Sequence, residues 1–366
     1  MKEKNIGCSL AKSFALLFVV GYHIWVLGGK PNLRLDILAR FVGLGGEIGV
    51  TLFFLISGYG IYISLHSMEE KYGKIITREY TKKRCKRILP PYYINLFLLL
   101  TIGTGMGYVS KELWPHILTH ILFVQNLFDH YTINGVLWTM AITIQFYIIA
   151  IPLYYCLKKN PYVFLILTIL ITVLSKRMVY INNVSEVPLL GFNLGRTKII
   201  LTVLDNFTLG MFGAWFYYNK KNITGVFPLL GMSGAVILID FVCRCGQKYG
   251  IHTNNWSGYC FHSMLALSLG FFLYFMSCIK FKSDNKIVKL LLFLAKYEYG
   301  IYLYHLVFIE NYLTRCGLIM ELQNRGWYIL SYAIMGCLSI VLGVIMDFMV
   351  SASMEKLGVL LHEKKK

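Results

Sequence analysis

Long apolar runs follow one another along the 366 residues and leave no stretch that reads as a soluble domain. A helix that crosses the hydrocarbon layer needs roughly 17–25 mostly apolar residues. Candidates fall at about 10–28, 43–65, 91–108, 136–157, 160–175, 199–218, 224–243, 258–279, 288–310 and 327–350. Hydrophobic residues make up 57% of the chain and charged residues 15%, against roughly 25% charged in a soluble domain. Inside a bilayer every backbone N–H and C=O must be paired within the protein, so runs of this length predict helices. The expected fold is an all-α integral membrane protein, with about ten transmembrane helices in one bundle. It is read as one domain over residues 1–366, with both termini cytoplasmic. The run from Leu113 to Phe128 is shorter and broken by Pro115, and reads as a re-entrant or interfacial helix.

The formal charge of +18 would suggest nucleic acid in a soluble protein. Here the Lys and Arg residues sit between apolar runs, so the bilayer is the expected partner and nucleic acid is not. With the N-terminus inside, the inner segments hold roughly twice as many basic residues as the outer ones. Lys2, Lys4 and Lys12 lie on the inner side, as do the eight basic residues of a loop at 66–90. The basic start and the apolar run after it resemble a signal peptide, but no A-x-A-like cleavage site follows, so the first helix is expected in the mature protein. The nine Cys are scattered without a CxxC pair or a zinc spacing, and neither a disulfide framework nor a metal site is expected.

Polar residues within such runs are costly and so are functional candidates. His23 lies eleven residues after Lys12, a rise of roughly 16 Å that puts it near mid-bilayer. An imidazole, with an unperturbed pKa of about 6.5, can act there as a general base; a packing His bonded to a neighbouring helix is the other reading. Ser57 and Gly58 end a Gly49-Val-Thr-Leu-Phe-Phe-Leu-Ile-Ser-Gly58 stretch, where small residues allow close helix contact. Glu47 precedes it near the outer end. The 66–90 loop ends in Lys82-Lys-Arg-Cys-Lys-Arg87, which includes Lys83 and Arg84. Such density suits a polyphosphate such as coenzyme A, because Arg binds phosphate with a two-pronged fork. It equally suits anionic lipid and the fixing of topology. Trp138 to Tyr147 carries Gln145 inside an apolar helix, and Tyr299 to His305 puts a His near the outer end of a late one. His116 and His120 stand four apart, a weak metal signal without a third ligand.

Together these pieces resemble the acyltransferase-3 family of integral membrane acyltransferases, in its stand-alone form without a fused SGNH-type hydrolase domain. The family has a basic residue ahead of a His in the first helix, then G-V-x-L-F-F-x-x-S-G, R-x-x-R-x-x-P, W-S-L-x-x-E-x-x-Y and a late I-Y-L-x-H. These match Lys12 with His23, Gly49 to Gly58, Arg84 with Arg87 and Pro90, Trp138 to Tyr147, and Ile301 to His305. Lys12 stands where the family usually has Arg, and Thr143 where it usually has Glu.

The resemblance implies transfer of an acyl group, commonly acetyl from acetyl-CoA, to a hydroxyl of an extracytoplasmic glycan. Capsule, exopolysaccharide and lipopolysaccharide are such acceptors, and a bacterial plasma (inner) membrane is the implied location. It casts Lys12, Lys83, Arg84 and Arg87 as holders of the CoA phosphates and His23 as the catalytic group. Glu47, Ser57, Trp138, Gln145, Tyr147 and His305 would shape the pore and the acceptor side, with no metal. The rival class is a transporter or flippase of a glycan or lipid-linked intermediate. Transporters often show two related halves, and no such symmetry is visible here.

Overall fold

The protein is described by a computed structural model covering residues 5–30, 35–103, 116–127, 133–181, 186–189, 192–195, 199–219, 223–251, 253–313 and 316–363. Lys2, Lys4 and Pro115 lie outside these residues. The helices in chain order are α1 (Ile6–Leu27), α2 (Asp36–Gly43), α3 (Gly45–Tyr72), α4 (Thr77–Leu98), α5 (Ile117–Ile121), α6 (Trp138–Lys159) and α7 (Pro161–Ile181). They continue with α8 (Leu204–Asn219), α9 (Phe227–Tyr249), α10 (Trp256–Cys278), α11 (Lys286–Lys296), α12 (Glu298–Phe308), α13 (Gly317–Asn324) and α14 (Tyr328–Glu363). One antiparallel hairpin, β1 (Glu186–Leu189) with β2 (Phe192–Gly195), interrupts the all-helical pattern between α7 and α8.

Among the described residues seven helices are long and apolar enough to cross a membrane: α1, α3, α6, α7, α9, α10 and α14. The chain is a multi-pass, helical membrane protein. Ile166, Ile237, Phe241, Val341 and Phe348 stand exposed on α7, α9 and α14, as lipid-facing side chains do. Three of the ten expected runs take another form. The run at 91–108 begins inside α4 and passes into a π-helical turn at Leu99–Gly103. The run at 199–218 yields α8, only 16 residues long. The run at 288–310 is split at Tyr297 into α11 and α12. Lys296 closes α11 and Glu298 opens α12, each of the sign that its helix end favours.

The basic stretch expected as a loop at 66–90 is mostly helical. Gly73, with φ 70°, ends α3, and α4 starts at Thr77, ahead of the Lys and Arg run. Lys and Arg are good helix formers, and the helix sets Arg84 and Arg87, three residues apart, on one face. The expected helix at 113–128 is, where described, two short pieces. α5 and a 3₁₀ turn at Gln125–Leu127 flank Phe123, whose φ is 55°.

Caps legible in the sequence start several helices. The Asn5 side chain accepts the Cys8 N–H, and the Asn255 side chain accepts that of Gly258. α3 runs through the centre, with Ile48, Leu52, Leu55, Tyr59, Tyr62 and Leu65 at most 1% exposed. It packs against α1, α8 and α10. Against α8 the contact is backbone to backbone. A Cβ on Gly58 would fall on the Phe207 carbonyl oxygen, and one on Gly210 on that of Leu55. Small residues permit such an approach where no water drives helices together.

Candidate functional site

Two cavities lie back to back in the bundle. The larger, about 440 Å³, is lined by His23, Glu47, Thr51, Trp138, Lys176, Asn206 and His262 among others. The smaller, about 200 Å³, is lined by Lys12, Ser57, Arg84, Arg87, Thr139, Thr143, Tyr147 and Glu298. Val50, Phe54 and Tyr302 line both, so a thin septum of three side chains separates a basic cavity from a His-bearing one. The Tyr302 hydroxyl is 2.8 Å from Thr139 Oγ1, and the Phe53 ring meets the Tyr302 ring edge-on at 5.4 Å.

His23 is held by its own helix and by α12. Its Nδ1 lies 3.0 Å from the Val19 carbonyl and 3.0 Å from His305 Nε2. His305, fully buried, has its Nδ1 2.8 Å from the Tyr302 carbonyl oxygen. A carbonyl can only accept, so a neutral His305 carries its proton on Nδ1 and offers Nε2 as an acceptor. His23 Nδ1 then faces two acceptors and must carry the proton. The nitrogen left with a free lone pair is His23 Nε2, on a side chain that lines the larger cavity. A hydrogen bond to one imidazole nitrogen fixes what the other can do, and here it leaves a base.

The lining of that cavity also holds a second pair, His262 Nε2 at 3.0 Å from Glu47 Oε2. Lys176 reaches the same space from α7, 4% exposed, its Nζ without a hydrogen-bond partner among the described residues. Trp138 adds an indole whose ring packs edge-on against Phe54.

In the basic cavity one carboxylate stands among three cations. Glu298 Oε1 accepts from Lys12 Nζ at 2.8 Å and from Arg87 Nη2 at 2.9 Å. Arg84 lies over the rings of Tyr80 and Tyr147, 5.6 and 5.3 Å from their centroids. Its Nη2 has only a long bond of 3.4 Å to the Gly60 carbonyl, and its Nε has no hydrogen-bond partner among the described residues. A guanidinium so under-used keeps donors for an anion.

The residues singled out in the sequence divide between these spaces. Lys12, Arg84, Arg87, Ser57 and Tyr147 line the basic cavity, so Tyr147 stands with the cations and not on the side expected for an acceptor. His23, Glu47 and Trp138 line the other. His305 sits behind His23, out of both cavities. Lys83 is exposed and lines neither. Gln145 also lines neither; its amide donates to the Phe123 carbonyl at 2.9 Å and to Asn126 at 2.8 Å, tying the chain after α5 to α6. His120 is engaged by the backbone at both nitrogens, Nε2 accepting the Ile133 N–H at 3.1 Å and Nδ1 facing the His116 carbonyl at 2.9 Å. Sequence reading missed Glu298, Tyr302, His262 and Lys176 as site residues. For Glu298 a signal was present: an acid directly ahead of the Tyr299 to His305 stretch.

Comparison with known proteins bears on the family of the chain as a whole. The family model described as an acyltransferase domain, the acyltransferase-3 model, matches residues 5–346. An O-acetyltransferase OatA of Staphylococcus aureus is 24% identical over 336 residues, 84% of this chain and 51% of that protein. The chain thus spans about half the length of that relative, 51%. A putative acetyltransferase, ORF330, of Acidianus two-tailed virus is 23% identical over 323 residues, 87% of this chain and 88% of that protein. A peptidoglycan O-acetyltransferase OatA of Listeria monocytogenes is 24% identical over 151 residues, 38% of this chain and 22% of that protein. No solved structure matches the chain.

Proposed function

The chain belongs to the acyltransferase-3 family, and from that premise we propose that it moves an acetyl group from cytosolic acetyl-CoA to a hydroxyl of an extracytoplasmic glycan. It would do so as a multi-pass enzyme of a bacterial plasma (inner) membrane. The names of the relatives support O-acetylation as the class of reaction. The observation that carries the reading is the pair of cavities that meet at Val50, Phe54 and Tyr302, with cations on one side and His23 on the other.

In this reading the basic cavity faces the cytosol, as the density of Lys and Arg around it favours. Lys12, Arg84 and Arg87 meet the donor's phosphates through charge-assisted hydrogen bonds. A narrow septum suits a donor whose reactive end is a slender thioester arm and whose charged end must stay behind. His23 Nε2 accepts the proton of the glycan hydroxyl as that oxygen bonds to the thioester carbonyl carbon. The carbon–sulfur bond then breaks, and His23 returns the proton to the departing thiolate. While His23 holds the extra proton, its Nδ1–H donates to His305 Nε2, which keeps the ring oriented through the exchange. Trp138 offers the acceptor sugar a flat apolar face, and Glu47 with His262 offers polar contacts in the same cavity as His23.

The test is turnover by the purified chain in vesicles supplied with acetyl-CoA and a surface polysaccharide. Free CoA thiol and O-acetyl ester should appear together and in equal amounts. His23→Gln keeps size and hydrogen bonding but cannot act as a base near neutral pH. It should bind acetyl-CoA normally and lose transfer by roughly 10²–10⁴-fold. Near-parental transfer by a folded His23→Gln protein would return His23 to a packing role. Movement of glycan across the membrane without thioester consumption would favour the transporter class instead.

A further inference from the structure

The basic cavity contains its own anion. Glu298 places a single carboxylate oxygen, Oε1, within 2.8 Å of Lys12 Nζ and 2.9 Å of Arg87 Nη2. The two cations come from α1 and α4, and the acid from the first turn of α12. Its side chain is 12% exposed, whereas that of Arg87 is 58% exposed. Arg84, the third cation, is left out of this arrangement and has no carboxylate partner among the described residues. An anionic phosphate oxygen would seek the same donors in the same geometry as the carboxylate oxygen already there.

We propose that Glu298 is a resident counter-anion of the donor site, which a donor phosphate must displace from Lys12 and Arg87. This rests on the donor assignment above. Arg84, with its donors under-used, receives the incoming phosphate first; Lys12 and Arg87 then exchange the carboxylate for phosphate oxygen. When the spent donor leaves, Glu298 takes the cations back, which weakens the grip on product and speeds its release. Glu298 is thus a residue that sets donor affinity, acting through the cations. It lies on the same short helix as Tyr302 of the septum and His305 behind His23.

The discriminating measurement is CoA binding to the purified full chain, wild type against Glu298→Gln, with inorganic pyrophosphate as a second probe. Gln keeps shape and an acceptor oxygen but removes the charge. CoA should bind about tenfold more tightly, the size expected when one charge-assisted contact no longer competes. In turnover, KM for acetyl-CoA should fall, and kcat should fall with it because product leaves more slowly. Glu298→Asp, which keeps the charge on a shorter arm, should tighten CoA less than Gln does. If folded Glu298→Gln binds CoA no better than wild type, or more weakly, Glu298 is a fixed staple for Lys12 and Arg87 and the proposal falls. If Gln alone fails to fold, unchanged or weaker binding by Glu298→Asp has the same meaning. Should wild type bind no CoA at all, the donor assignment fails. Pyrophosphate then decides for Glu298 alone: tighter binding by the Gln variant upholds its role, and equal binding removes it.

Discussion

His305 Nε2 lies 3.0 Å from His23 Nδ1, joining two residues 282 apart in the chain. The contact orders the protons. His305 gives its own to the Tyr302 carbonyl, so His23 must hold its proton on Nδ1 and keep Nε2 as a base. The Val19 carbonyl, 3.0 Å from the same nitrogen, favours the same tautomer, so the two acceptors act together.

The first prediction follows from that order. His305→Phe keeps a ring in the space but removes one of the two acceptors of His23 Nδ1–H, the one that ties the ring to α12, and leaves the Val19 carbonyl. Transfer should fall about 10–100-fold, the usual cost of losing an orienting partner of a functional imidazole. KM for acetyl-CoA should hardly change, because His305 lines neither cavity. Steady-state kinetics on the purified variant would check this; equal kcat in variant and parent would sever the link between the two rings.

The cations of the basic cavity should contribute unequally to donor binding. Arg84 has unspent donors, whereas Arg87 is engaged by Glu298. Arg84→Ala should therefore weaken acetyl-CoA binding more than Arg87→Ala. The double variant should lose at least roughly 1.5–3 kcal/mol, the worth of a hydrogen bond to a charged group. Isothermal titration reads all three, and unchanged affinity in the double variant would leave the cluster only a topological role.

Topology gives a third expectation. Lys74 is exposed in the link between α3 and α4, next to the basic run. Positive-inside logic puts that link in the cytoplasm. A single Cys at position 74 should resist a membrane-impermeant thiol reagent in intact cells and react after lysis. Ready labelling of intact cells would invert the two cavities.

Helix packing supplies the fourth. Gly58→Ala would drive a Cβ into the Phe207 carbonyl oxygen, and backbone cannot yield as a side chain tip can. Forcing α3 away from α8 should cost about 1–3 kcal/mol, the range for overpacked sites. A lower melting temperature in detergent, matched by Gly210→Ala, is the expected result. Gly60→Ala is the control, since a Cβ there meets nothing within 4 Å.

Much of this was legible from local pattern. Apolar runs fixed where α1, α3, α6, α9, α10 and α14 lie, because a bilayer allows such runs little besides helix. The spacing of Lys12 and His23 on α1 put them at different depths, and they line different cavities. The motifs pointed to the family that the whole-chain comparison shows. The break at Tyr297 was not legible, since both flanking pieces are apolar and only the charges beside it mark a boundary.

The order of residues along the chain sets the inventory and the axial position of each side chain, because helix rise is a local, fixed quantity. Which way each helix turns, and which neighbours it meets, comes from the packing of the whole bundle, because those contacts are not local in the chain. The pairs that make the site join residues far apart in the chain: Glu298 with Lys12 and Arg87, at separations of 286 and 211, and His262 with Glu47 at 215. Their meeting depends on rotations set by close contacts such as Gly58 on Phe207 and Gly210 on Leu55. Gln145 and Tyr147 make the same point from one helix. They stand two residues apart on α6, so they point in different directions. Packing alone sent Tyr147 to the cations and Gln145 to the Phe123 carbonyl.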